Sequence, residues 1–133
     1  MMILINILNQ ILKEEKMINK IIPGYSNWEI VTFIIIDKLI VGNNRYFRRS
    51  EIMTMDNIKL AEILTAALGH KIKPKHPEET IQRTLQNLRD KGFIDFLGNG
   101  EYKLTDTGFE TTKIMGQKYP YNQLMNETKK QLR

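Results

Sequence analysis

The chain has 133 residues, of which 41% are hydrophobic and 26% charged. Those are the proportions of one folded domain, not of a disordered segment. Lys and Arg total 20 against 15 Asp and Glu, giving a net charge of +5 and a pI near 9.4. Such a surplus favours a polyanionic partner, because each phosphate neutralised releases condensed counterions. Cysteine is absent, which excludes disulfides, thiolate metal sites and cysteine nucleophiles and suits a reducing, cytoplasmic location. No apolar run reaches the roughly 18 residues of a membrane span. Met1–Leu12 has neither the basic leader nor the small-residue cleavage site of a signal peptide.

In chain order, the first predicted element is a helix. Leu4, Ile7, Leu8, Ile11 and Leu12 follow one helical face, Met17, Ile18, Ile21 and Ile22 resume it, and Pro23-Gly24 ends it. A helix folded back on its own domain and a dimerisation helix both fit this stripe. Trp28–Val41 is the most apolar stretch. Its β-branched residues favour a strand, but its length favours a helix, with Asn27 as cap and Gly42 as stop. Tyr46 and Phe47 form a short strand flanked by Arg45, Arg48 and Arg49. From Ser50 a broken helical period runs to Leu68, with Asp56 as a second cap and Gly69 as its end.

After a linker carrying Lys71, Lys73, Lys75 and His76 comes the clearest helix, Pro77–Lys91. Pro77 suits the first helical position, Glu78 and Glu79 complement the helix dipole, and Gly92 supplies the stop. Phe93–Leu97 and Glu101–Leu104 then read as a hairpin turned by Gly98-Asn99-Gly100. Thr105 or Asp106 caps a helix over about 107–116. Pro120 interrupts it, and Asn122–Arg133 is a short helix or a frayed tail.

Helix, short strand, two helices and a hairpin are the parts of a winged helix-turn-helix, a mainly α fold with a small β-hairpin wing (α+β). The organisation expected is a helical segment 1–24, a winged-helix DNA-binding domain 25–108 and a helical tail 109–133. With Ile81, Leu85 and Leu88 facing the core, Thr80, Gln82, Arg83, Gln86 and Asn87 turn outward. Arg reads guanine bidentately, and Gln and Asn read adenine. Thr80, near the helix start, suits a phosphate through its hydroxyl and free amides. Lys71, Lys73, Lys75, His76, Arg45, Arg48 and Arg49 are phosphate-neutralising candidates, and Asn99 with Lys103 forms a wing contact. Glu79 is expected to make no contact.

Competing chemistries are weaker. Asp95, Glu101 and Lys103 imitate the acidic residue and Glu-x-Lys of metal-dependent nucleases, but they fall on the wing. His70 and His76 lack the converging ligands a metal site needs. Arg89-Asp90 reads as a structural pair and Trp28 as a core anchor, its alternative being a wall against an extruded base. No enzyme activity, metal or cofactor is expected.

From Thr80 to Leu97 the chain reads TIQRTLQNLRDKGFIDFL, and Gly100–Leu104 reads GEYKL. This resembles the C-terminal winged-helix domain of the Dam-replacing family of restriction endonucleases, which includes Dpn-type enzymes that cut adenine-methylated DNA. Ile81, Leu85, Gln86, Leu88, Arg89, Asp90, Gly92, Gly100, Tyr102 and Leu104 match its pattern. Trp28 and Phe47 match the Trp opening its first helix and the Phe before its second. The chain departs from the pattern in a longer stretch around Asn57–His76. It also has Gln82-Arg83 where the family has Arg then Gln, which leaves base preference unassigned. The resemblance implies binding of double-stranded DNA and sensitivity to adenine methylation, without cleavage. The role expected is that of a transcriptional regulator or a restriction-system specificity module, and a homodimer follows if the N-terminal stripe is a dimerisation helix. The alternative is a protein-interaction module, since fold alone does not fix function.

Overall fold

The computed structural model describes residues 25–67, 74–118 and 120–131. The helix expected over Leu4–Ile22, the stop at Gly69, and Lys71 and Lys73 lie outside the described residues. The elements are α1 (Asn27–Leu39), β1 (Tyr46–Arg48), α2 (Arg49–Ile52), α3 (Met55–Ala67), α4 (Pro77–Asp90), β2 (Ile94–Gly98), β3 (Glu101–Leu104), α5 (Asp106–Lys118) and α6 (Tyr121–Gln131).

The apolar stretch is a helix, and its residues from Trp28 to Ile36 are all buried. A helix apolar on every side must be enclosed on every side, and α1 accordingly touches α3, α4, α5 and α6. Its start is set by Ser26, not by Asn27. The Ser26 hydroxyl accepts from the Glu29 amide at 3.1 Å, and the Glu29 carboxylate accepts from the Ser26 amide at 2.8 Å. A serine with Glu three residues on satisfies two orphan amides at once, which an Asn27 cap would not. The helix ends at Leu39, and Gly42 turns the chain two residues beyond the Ile40 cap with φ +65°.

The broken period after Ser50 resolves into α2 and α3. Thr54, not Asp56, caps α3: its hydroxyl accepts from the Asn57 amide at 3.2 Å and its carbonyl from the Ile58 amide at 2.9 Å. Ile52, Leu60, Ala61 and Leu64 enter the core with Ile81, Leu85 and Leu88 of α4. Each fully buried Ile or Leu among them contributes about 1.5–3 kcal/mol.

The sheet has the order β1-β3-β2, with both pairs antiparallel. Phe47 lies opposite Tyr102 and stacks on it, ring centroids 5.4 Å apart. The hairpin turns through Gly98, Asn99 and Gly100 at φ +94°, +51° and +73°. Glycine reaches that region without strain, and asparagine is among the few other residues that tolerate it.

Of the two proposed caps, Thr105 begins α5, its hydroxyl accepting from the Gly108 amide at 3.1 Å. Residues 121–131 form a helix, and Leu124 and Met125 are buried in the common core. The Tyr121 hydroxyl donates to Asn57 Oδ1 at 2.5 Å, and Asn57 Nδ2 donates to the Glu51 carbonyl at 3.1 Å. That relay ties α6 to α2 and α3. Among the described residues no helix is long and apolar enough to cross a membrane.

Candidate nucleic-acid interface

The orientation of α4 is fixed at its inner face and at both ends. Ile81, Thr84, Leu85 and Leu88 are buried, and the Thr84 hydroxyl is satisfied by the Thr80 carbonyl at 2.8 Å. At the C-terminal end Gly92 takes φ +85°. The Phe93 amide donates back to the Leu88 carbonyl at 2.9 Å and the Gly92 amide to that of Arg89 at 3.0 Å. This is a Schellman closure, and its C″ residue, Phe93, is itself buried.

Lys91 adds a second anchor. Its ammonium donates to both carboxylate oxygens of Glu29, at 2.8 and 2.9 Å. The Glu29 side chain is 3% exposed and that of Lys91 42%. One acidic side chain thus closes the capping box of α1 and holds the last turn of α4. Sequence reasoning missed this pair, whose members lie 62 residues apart.

With its inner face held, α4 presents Gln82, Arg83, Gln86 and Asn87 to the outside, all exposed. Gln82, Arg83 and Gln86 line one shallow depression, and Glu79 joins them there. Thr80 differs from expectation. It is half-buried, its amide already donates to the His76 carbonyl at 3.2 Å, and its hydroxyl turns toward that same carbonyl. Thr80 is the fourth helical residue, so its N–H falls within the helix ladder and not among the free amides of the first turn. Lys75 and His76 are exposed where the chain enters α4.

The remaining basic candidates divide into two places. Arg48 and Lys103 lie on the wing sheet, and Arg49, at the start of α2, meets the turn that carries Asn99. Arg48 pairs with Glu101 at 3.0 Å. The Arg49 amide donates to the Gly100 carbonyl at 2.8 Å. The Lys103 ammonium lies 5.5 Å from the centroid of the Tyr46 ring. Arg45 sits at the other end of the β1–β3 pair, where it forms an ion pair with Asp106 and covers the Phe109 ring at 4.7 Å. It joins β1 to α5 and stands apart from the wing turn. The nuclease-like trio lies on the wing hairpin, where its charges are taken up locally: Glu101 is paired with Arg48, and Asp95 faces Lys103 across the strands. Arg89 and Asp90 form a surface pair at 3.6 Å. Trp28 is 5% exposed and part of the core.

A buried first helix, a pair of helices behind one outward-facing polar row, and a three-stranded sheet with a glycine-turned hairpin define a winged helix-turn-helix. The chain belongs to the Dam-replacing HTH domain family, which matches it over residues 24–104. No curated protein and no solved structure matches it. Membership in a helix-turn-helix family suggests DNA binding by this domain.

Proposed function

We propose that the chain binds double-stranded DNA sequence-specifically, with α4 in the major groove and the Gly98–Gly100 turn against the backbone or minor groove. The observation that carries this reading is the outward row Gln82, Arg83, Gln86 and Asn87, on a helix whose opposite face is buried in the core. These side chains have the donors and acceptors that discriminate guanine and adenine in the major groove. Lys75 and His76 at the helix entry, and Arg49 with Asn99 at the wing, supply backbone contacts.

The resemblance to restriction enzymes that act on adenine-methylated DNA adds sensitivity to that modification. The chain then serves as a transcriptional regulator or as the specificity module of a restriction system, in the cytoplasm and without catalysis of its own. Pairing through residues 1–24 would match a two-fold site with half-sites one helical turn apart.

Fluorescence anisotropy at two salt concentrations tests the reading, with random, GATC-containing and adenine-methylated GATC duplexes. Preference for the methylated duplex that survives the higher salt supports a methyl-reading module. Equal, salt-sensitive binding to all three supports DNA binding and removes the methylation claim. Absence of binding to any duplex replaces this reading with a protein-interaction module.

A further inference from the structure

Glu79 stands in the first turn of α4, two residues after Pro77, and is exposed. It shares the depression on the outward face with Gln82, Arg83 and Gln86, whereas Glu78 of the same turn does not. Among the described residues its carboxylate pairs with no cation, and Arg83, one turn further on, leaves it open. An acidic residue here satisfies the helix dipole, but Glu78 already does so. Toward phosphate a carboxylate is repelled. On the floor of the major groove it meets the exocyclic amino groups of cytosine N4 and adenine N6, donors that a carboxylate accepts and that thymine and guanine do not present there.

The spacing suits a two-base reading. A recognition helix enters the major groove at an angle, and residues three to four positions apart on it contact successive bases. Glu79 and Arg83 can therefore engage neighbouring base pairs of one site, an acceptor beside a donor fork. We infer that Glu79 is a specificity-determining residue. It selects an amino-bearing base, cytosine or adenine, next to the guanine taken by Arg83. This inference rests on the DNA-binding reading above.

The test is selection from a duplex pool randomised over one helical turn, with wild type, E79A, E79Q and R83A. Wild type should enrich a guanine flanked by a position restricted to cytosine or adenine, and the base enriched identifies which amino group is read. E79A should lose that preference, by about tenfold or more, while keeping the guanine; R83A should do the reverse. E79Q, whose amide both donates and accepts, should shift the position toward adenine. Because Glu79 is exposed, circular dichroism of E79A should match wild type. An E79A motif identical to wild type, with tighter binding to every duplex, would mean repulsion only and overturn the inference alone. A wild-type protein that enriches nothing and binds no duplex at low salt overturns the DNA-binding reading, and the inference with it.

Discussion

Gly108 leaves room for a backbone atom of another element. A Cβ there would fall 1.8 Å from the Phe93 carbonyl oxygen. That oxygen cannot step aside, since it accepts from the Thr105 amide at 3.0 Å and from the Thr105 hydroxyl at 3.1 Å. Gly108→Ala should destabilise the fold by about 2–3 kcal/mol, read as a lower urea midpoint at unchanged slope. Asp37 shows the same economy of space, since a Cβ on Gly116 would land 1.7 Å from its Oδ2. Burial raises the Asp37 carboxyl above its ordinary value, and Lys113, at 3.7 Å, only partly opposes this. The native carboxyl therefore keeps its proton where the unfolded one has released it. The Asp37 contribution to stability is full below the ordinary carboxylate value and is lost as pH rises through the raised one. D37N should lack that component, so the difference in Tm between wild type and D37N should change with pH across this interval and level off above it.

Among the elements, α1 and α4 depend on one another through Glu29. E29Q removes the charge while keeping a side-chain acceptor for the Ser26 amide. Because the Lys91 ammonium stays partly in water, the expected loss is about 1 kcal/mol. E29A also opens the capping box and should lose about 2 kcal/mol. Hydrogen exchange at the amides of Lys91, Gly92 and Phe93 should quicken in both variants. Helix α4 and the hairpin were legible in the sequence because their signals are local: a three-to-four residue period with Pro77 and Gly92 at its ends, and a Gly-Asn-Gly turn between two short strand-forming runs. The outward row of the candidate site follows from that same period. The start of α1 was misplaced by one residue, because Ser26 and Asn27 are both good caps and only the Glu three residues on separates them. The pairs Glu29–Lys91 and Arg45–Asp106 were invisible, since no spacing rule connects residues some sixty positions apart. For the same reason Arg45 read as equivalent to Arg48 and Arg49, although the fold directs it to α5.

At the scale of the molecule, the net charge of +5 and the polar row on α4 govern different observables. Lys75→Ala should weaken all duplexes alike and flatten the plot of log affinity against log salt by about one unit. Arg83→Ala should lower affinity for the preferred duplex by about 1–3 kcal/mol and bring it toward that for random DNA. Titrations at several salt concentrations separate the two; equal losses on both duplexes for R83A would remove its reading role.

The Phe93 carbonyl lies where the last turn of α4, the first strand of the wing and the start of α5 converge. Only Lys91, Gly92 and Phe93 separate the helix from the strand, and each is hydrogen-bonded or ion-paired in place. Helix and wing therefore make a single calliper of fixed opening. Were a duplex gripped by both jaws, any mismatch between them and straight DNA would fall on the duplex, and base steps that the protein never touches would be sorted by their stiffness.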